Sequence, residues 1–193
     1  MRLFIAVNLP SAERARAYRA LALLRAAGLP VRWVAEESLH LTLKFLGEVG
    51  EAAVGAVEGA LGLVGARHAT FRLSLGGAGA FPALRRPRVL WIGVEGSEAL
   101  QALQCDVEGS LALLGFSREG REYSPHLTVG RVERDARAAA FAGLETLARD
   151  IAYRAIVEIG SVDLMRSFLS GQGARYERVA AVPLTGKGSG QES

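Results

Sequence analysis

The chain has 193 residues, of which 50% are hydrophobic and 22% charged, the composition of a globular protein long enough to bury a substantial core. One cysteine excludes an intrachain disulfide framework, and three histidines beside it are too few and too widely spaced for a structural zinc site. The net charge of +3 is too small to indicate a nucleic acid partner by itself. We expect a cytoplasmic protein without a signal peptide or membrane span.

Apolar periodicity predicts the elements in chain order. The first half is expected to hold strands at 3–7, 31–34, 39–46, 71–75 and 89–94 and helices at 11–27 and 51–64. The second half is expected to hold helices at 97–115 and 135–148 and strands at 123–129, 151–164 and 176–183. Ser11 and Ser97 are expected to cap the helices that begin with them. The glycine-rich run 76–79 lacks the Lys-Ser/Thr of a P-loop and is predicted to form a turn.

Comparable groups of strands and helices thus occur in both halves of the chain. This order predicts an α+β protein with two similar lobes of antiparallel sheet plus helices. The two lobes would form a single domain over residues 1–185. The last residues, 186–193 (GKGSGQES), have almost nothing apolar to bury, so we expect a flexible tail there.

Two short segments carry most of the functional information. HLTL at 40–43 and HLTV at 126–129 share one pattern, with one copy in each half of the chain. Residues two apart on a strand project from the same face, so each histidine would share a face with its threonine while the apolar residues anchor the strand in the core. For one copy, a solvated strand face is an equally good interpretation. Two copies, one per lobe, favour a shared central cleft.

Two imidazoles facing each other across a cleft, with a hydroxyl beside each, suit in-line displacement at phosphorus. The attacking and leaving oxygens lie on opposite sides of the phosphorus, so the base and the acid must approach from opposite flanks. An ordinary imidazole pKa of about 6.5 lets one histidine be neutral and the other protonated near neutral pH. The residues therefore predict an acid/base pair.

The two motifs also belong to a wider resemblance. Together with MRLFIAVNLP at the start, RPRVLWIGV at 86–94, YSPHLTVGR at 123–131 and SVDLMRSFLSGQGARY at 161–176, they resemble the two-histidine phosphoesterases. Within these the best match is the RNA 2′,3′-cyclic phosphodiesterase group, historically called 2′-5′ RNA ligases. The resemblance implies a bilobal fold with both HxTx motifs on facing strands, no metal or other cofactor, and RNA 3′ ends closed as 2′,3′-cyclic phosphates as substrates.

By the same resemblance, water would open the ring to leave a 2′-phosphate. His40 would be the general acid that protonates the departing ribose 3′-oxygen, and His126 the general base that activates water. Thr42 and Thr128 would donate hydrogen bonds to the non-bridging phosphate oxygens. The RNA partner would include tRNA fragments as candidates, and the protein would act as a monomer without membrane contact.

The resemblance adds two binding residues, each five positions after its histidine. Phe45 would stack on the terminal base and Arg131 would bind the phosphate. Strand parity places this position on the face opposite to the histidine, so both side chains reach the cleft only if the strand ends or bulges after position +3. Lys44 has the histidine's parity and is the alternative cation. The structural alternatives are a core aromatic for Phe45 and a surface salt bridge for Arg131.

Two other functions remain compatible with the residues. The same site could join a 2′,3′-cyclic end to a 5′-hydroxyl and form a 2′-5′ linkage, because a hydroxyl can replace water as the nucleophile. A non-catalytic RNA-binding module would use the cleft only to hold phosphate, but arginine or lysine would serve that purpose as well as two histidines.

Overall fold

The computed structural model describes residues 1–96, 98–170 and 173–187. The strands are β1 (Arg2–Asn8), β2 (Val31–Trp33), β3 (His40–Glu48), β4 (Phe71–Phe81), β5 (Val89–Glu95), β6 (His126–Val132), β7 (Arg154–Ile159), β8 (Ser161–Ser170) and β9 (Gly173–Pro183). The helices are α1 (Ser11–Ala20), α2 (Ala22–Ala26), α3 (Glu51–Gly65), α4 (Glu98–Ala112) and α5 (Leu144–Arg149), with 3₁₀ turns at Glu36–Ser38 and Ala138–Phe141. The predicted cap at Ser97 and most of the predicted tail, 188–193, lie outside the described residues.

The strands form one antiparallel sheet in the order β7-β4-β5-β6-β3-β1-β8-β9, with β2 paired beside β6. The fold is therefore a mixture of helices and antiparallel sheet, as the sequence predicts. The two halves of the chain do not form one lobe each, because β4, β5 and β1 of the first half pair with β7, β6 and β8 of the second. At the centre of the sheet, β3 and β6 pair with each other at Leu41 and Leu127. From this central pair, β6, β5, β4 and β7 extend to one side and β3, β1, β8 and β9 to the other.

The sheet has one face covered by helices and one that carries only a small apolar cluster. In β1, Leu3, Ile5 and Val7 enter the main core, which also includes buried residues of all five helices. The intervening Phe4 and Ala6 point to the other face, where they pack with Met165 and Tyr176. This second face is left accessible along the middle of the sheet. In the part of the chain that the structure describes, no helix is long and apolar enough to cross a membrane.

Four local predictions were wrong. The single strand expected at 151–164 is two strands, β7 and β8, separated at Gly160. The helix expected at 11–27 is interrupted at Leu21, and its N-cap is Pro10 rather than Ser11, without a side-chain capping bond. The helix expected at 135–148 is a 3₁₀ turn and the short α5, separated by Gly143, whose φ of +86° stops a helix. The glycine run 76–79 is part of β4 instead of a turn, and Gly79 leaves room for the ring of Trp91 on β5, which a Cβ would contact.

Candidate active site

The two HxTx motifs lie side by side at the centre of the sheet. Leu41 of β3 pairs with Leu127 of β6, and both leucines are completely buried. Continuing this antiparallel register by one residue aligns His40 with Thr128 and, on the other side, Thr42 with His126. All four polar side chains are partly exposed. Each histidine therefore lies beside the threonine of the other motif, on the face opposite to the main core.

Both motifs contain a bulge at position +3. In β3, Thr42 pairs with Ala6 and Lys44 with the next residue, Ile5, so Leu43 has no partner of its own in β1. In β6, Thr128 pairs with Trp91 and Gly130 with Leu90, so Val129 is the extra residue. An extra residue reverses the alternation of side chains beyond it. Position +5 of each motif consequently lies on the same side as the histidine.

The bulges bring Phe45 and Arg131 to the cleft. Phe45 is 65% exposed, so it is not a core aromatic, and its ring centroid lies 6.0 Å from that of Phe4. Arg131 is exposed and makes no ion pair with any residue that the structure describes, so it is not held in a surface salt bridge. Both side chains are available to a ligand.

Lys44 borders the space beside His126, but as a buried and paired cation. Its side chain is only 3% exposed, and its Nζ donates to Glu108 Oε2 and to the Ser117 carbonyl, both at 2.7 Å. The expectation from simple parity was wrong here because Leu43 and Lys44 are both buried in succession. Lys44 instead joins β3 to α4 and to the segment that follows α4.

The two imidazoles are held in the same way. His40 Nδ1 lies 2.7 Å from the Ser38 carbonyl, and His126 Nδ1 lies 2.7 Å from the Ser124 carbonyl. Because a carbonyl only accepts, Nδ1 carries the hydrogen in both rings, and Nε2 is left to take up or release a proton. His40 Nε2 lies 3.1 Å from Thr42 Oγ1. A serine two positions before each histidine extends the repeat to S-x-H-L-T, a signal that the sequence analysis missed.

Aromatic side chains from distant strands enclose the histidines. The His40 ring lies 5.0 Å from both Phe4 and Tyr176, and edge-on to Tyr176. His126 lies edge-on to Phe81, with the ring centroids 4.9 Å apart. No local sequence pattern marks these aromatic residues, because their strands reach the motifs only through the sheet topology.

Two adjoining cavities form the cleft. One of about 480 Å³ is lined by His40 and Tyr176, and one of about 660 Å³ by His126 and Phe81. They share four lining residues, namely Thr42, Phe45, Thr128 and Arg131. The two histidines therefore reach one continuous space from its two ends, with the threonines, the arginine and the exposed phenylalanine between them. Each part is large enough for a small organic ligand.

Burial lowers the pKa of His40 from 6.5 to about 4, because an imidazolium is poorly solvated there. The bond to the Ser38 carbonyl opposes this shift, and the positive charge of Arg131 adds to it. His40 is consequently neutral at pH 7 in the free protein. Within the described residues, no group of three or more His, Cys, Asp or Glu side chains is arranged to hold a metal ion.

The charge state of His40 is open to direct measurement. In an NMR titration of the free protein, the His40 ring should titrate with a midpoint of about 4. The Arg131→Gln variant should raise that midpoint, because a nearby positive charge that disfavours the imidazolium has been removed. A His40 midpoint near 6.5 in the wild-type protein, or a lower one in the variant, would contradict this interpretation of the site.

The fold is that of several solved structures. One, described as a phosphoesterase, superposes with a TM-score of 0.71 at 28% identity, covering 95% of this chain and 98% of that one. The Thermus thermophilus protein TT0787 superposes with a TM-score of 0.81 at 26% identity, covering 97% of this chain and 100% of that one. LigT of E. coli in its apo form superposes with a TM-score of 0.68 at 28% identity, covering 95% of this chain and 97% of LigT. LigT has also been solved in complex with 3′-AMP. These similarities place the chain among the LigT-like phosphoesterases.

Sequence comparison identifies the family of the chain. Residues 9–167 match the family model of the 2′-5′ RNA ligase superfamily, and the chain belongs to this superfamily. It is 36% identical over 162 residues to the RNA 2′,3′-cyclic phosphodiesterase of Aeropyrum pernix, covering 83% of this chain and 90% of that protein. It is 37% identical over 185 residues to the enzyme of the same name from Methanothermobacter thermautotrophicus, covering 91% and 95%.

Proposed function

We propose that the protein hydrolyses RNA 3′ ends closed as 2′,3′-cyclic phosphates and leaves a 2′-phosphate and a 3′-hydroxyl. The observation that carries this proposal is the paired HxTx motif, with both histidines held through Nδ1 and both aimed at one cleft. Relatives named RNA 2′,3′-cyclic phosphodiesterase match most of the chain and support the same substrate. The enzyme is thus a phosphoric diester hydrolase.

The two histidines take opposite parts in the displacement. His126 Nε2 removes a proton from water, and the water oxygen forms a bond to phosphorus on one side. The bond between phosphorus and the ribose 3′-oxygen breaks on the other side, and His40 Nε2 delivers a proton to that oxygen. One strand could not reach both flanks, whereas β3 and β6 each supply one imidazole. We propose that the reaction needs no metal ion.

The remaining cleft residues bind the substrate. Thr42 and Thr128 donate hydroxyl hydrogen bonds to the two non-bridging phosphate oxygens, and Arg131 balances the negative charge. Phe45, which is 65% exposed at the junction of both cavities, offers its ring to the terminal base. The four residues lie between the histidines, where the cyclic phosphate has to be held.

The low pKa of His40 is compatible with the role of acid once substrate is bound. In the free protein the buried position and the neighbouring Arg131 both disfavour the imidazolium. A phosphodiester anion placed between them adds a negative charge beside His40, which favours the protonated form and raises its pKa. The proton that His40 delivers would therefore be taken up together with the substrate.

Ligation is the second reaction that this site can perform. The 2′-5′ RNA ligase superfamily includes the chain, and a 5′-hydroxyl can replace water in the same displacement. Because water is present at about 55 M, hydrolysis dominates unless both RNA ends are held in place. A purely RNA-binding module would not need two imidazoles fixed by matched carbonyl bonds.

Two further observations support the monomeric state and the cytoplasmic location that we propose. Both motifs, together with Phe45 and Arg131, come from one chain, so a monomer of domain 1–185 has a complete site. The absence of paired cysteines supports a cytoplasmic enzyme, since Cys105 has no second cysteine to bond with. Cytoplasmic RNA fragments with cyclic ends, tRNA fragments among them, are the substrates we propose.

The decisive experiment uses a short oligonucleotide that ends in a 2′,3′-cyclic phosphate, incubated with the protein in the presence of EDTA. We expect conversion to the 2′-phosphate at the same rate with and without the chelator. Unchanged substrate would reject the enzymatic function. A 3′-phosphate product would reverse the assignment of the leaving oxygen and of the two histidine roles, and activity that EDTA abolishes would reject the metal-independent mechanism.

A further inference from the structure

The cleft continues beyond His40 into a second groove. This groove has a volume of about 580 Å³ and shares Val34, Arg131, Ala174 and Tyr176 with the cavity that contains His40. Its far part is lined by Arg32 and Trp33 of β2 and by Arg134, which follows β6. We refer to Arg32, Trp33 and Arg134 with the shared Arg131 and Tyr176 as the arginine groove. None of the roles proposed above uses its far part.

The charged side chains that line the arginine groove are all positive. Its lining includes three arginines and no acidic residue. Arg32 and Arg134 form no ion pair and donate no side-chain hydrogen bond to any residue within 1–96, 98–170 and 173–187. Both residues are exposed. The groove therefore attracts an anion, and two or more phosphates would meet separate arginines.

The opposite end of the cleft is different. The cavity that contains His126 is lined by Arg118 and Arg121, but also by Glu119 and Glu122 from the same segment. A polyanion entering that side would meet both signs of charge. Of the two directions in which a phosphate chain could leave the histidines, the arginine groove is thus the electrostatically favoured one.

Strand β2 lies close against β6 beside the arginine groove. Trp33 of β2 pairs with Gly130 of β6, and a Cβ on Gly130 would lie 3.1 Å from the Trp33 ring and 2.5 Å from Val31 Cγ1. Val31 and Trp33 pack against the main core, so Arg32, which alternates with them and pairs with Arg131, lies on the cleft side. The aromatic ring beside these arginines is Tyr176, which lines both the groove and the cavity that contains His40. A ring beside cationic side chains is a combination that binds single-stranded nucleic acid.

We propose that the arginine groove binds the nucleotides on the 5′ side of the cyclic phosphate, with Arg32 and Arg134 on backbone phosphates. This inference rests on the proposed function, because it starts from a cyclic phosphate held between the histidines. The terminal ribose then carries its 5′-phosphate out of the site past Arg131 and Tyr176. The preferred substrates are single-stranded RNA oligonucleotides rather than nucleoside cyclic monophosphates.

The test compares two substrates, a nucleoside 2′,3′-cyclic monophosphate and a tetranucleotide with the same terminal base and cyclic end. We expect the wild-type protein to hydrolyse both, with a kcat/KM at least about tenfold higher for the tetranucleotide. The Arg32→Gln/Arg134→Gln variant should lose about fivefold on the tetranucleotide and nothing on the monophosphate.

A matched control distinguishes an effect of the arginine groove from an effect of the net charge of the protein. Arg19→Gln/Arg72→Gln removes the same charge from exposed positions on α1 and β4 that do not line the arginine groove, and it should behave as wild type. The salt dependence of kcat/KM for the tetranucleotide should be shallower in the groove variant, by a slope of about 0.7 per phosphate contact. Equal kcat/KM of the wild-type protein for both substrates would overturn the proposal. An equal loss of kcat/KM in the groove variant and in the control variant would overturn it as well. Failure to cleave either substrate would instead reject the proposed function.

Discussion

Replacing His126 or His40 with alanine is expected to lower kcat at least about 100-fold without unfolding the protein. In the proposed mechanism, each variant removes one of the two groups that move a proton in the displacement, and general acid or base catalysis typically contributes a factor of about 10² to 10⁴. Both side chains are only partly buried, so alanine leaves no large cavity in the main core. The measurement is single-turnover cleavage of a cyclic-ended oligonucleotide, with circular dichroism as the test of folding.

A double variant and a control at the third histidine test the same prediction further. Because the two imidazoles act in one displacement, His40→Ala/His126→Ala should be little slower than the worse single variant. His68 is paired with Asp106 on α4 at 2.9 Å and lines neither part of the cleft, so His68→Ala should retain full activity. A folded His40→Ala or His126→Ala protein within tenfold of the wild-type rate would refute the acid/base pair.

The second large effect concerns stability. Lys44→Met should destabilise the protein by about 3–5 kcal/mol, because it leaves the Glu108 carboxylate buried without its cation. The side chains of Lys44 and Glu108 are 3% and 11% exposed, and their charged atoms lie 2.7 Å apart. Urea denaturation at pH 7 measures the loss. A comparable control removes the cation of an exposed pair. Arg154→Met, which breaks the 3.5 Å pair with Glu95, should lower the free energy of unfolding by less than about 1 kcal/mol.

The partner variant shows whether the loss comes from the stranded charge. In Lys44→Met/Glu108→Leu both charges are gone, so most of the stability should return. If the double variant is as unstable as Lys44→Met alone, the loss reflects the missing lysine chain and its bond to the Ser117 carbonyl instead of the buried carboxylate.

The central strands and the general fold class were predictable from the sequence. The alternation of polar and apolar residues around His40 and His126 indicates strands with one buried face, and Leu41 and Leu127 are indeed completely buried. Repetition of the motif indicates two related halves. How those halves combine was not predictable, because β4, β5 and β1 of the first half pair with β7, β6 and β8 of the second, so both halves contribute strands to both sides of the sheet.

Features that depend on backbone irregularity could not be predicted from residue types alone. The interruption of the first helix at Leu21 has no glycine or proline beside it to signal a break. Position Lys44 was assigned to the wrong face because simple alternation does not count the extra residue in a bulge. Tyr176 reaches His40 from the other end of the chain, which only the topology determines.

In the proposed reaction, the two bulges also help to orient the substrate. Up to position +3 the two motifs are nearly identical in sequence and run antiparallel to each other. Their own side chains are therefore related by an approximate two-fold symmetry. The first unlike side chains that the bulges turn into the cleft are Phe45 and Arg131, an apolar ring on one side and a cation on the other. A nucleotide also has two chemically different ends, an aromatic base that can stack on a ring and a phosphate that binds a cation. In the proposed reaction, the difference between these two side chains therefore helps to determine which ribose oxygen faces which histidine.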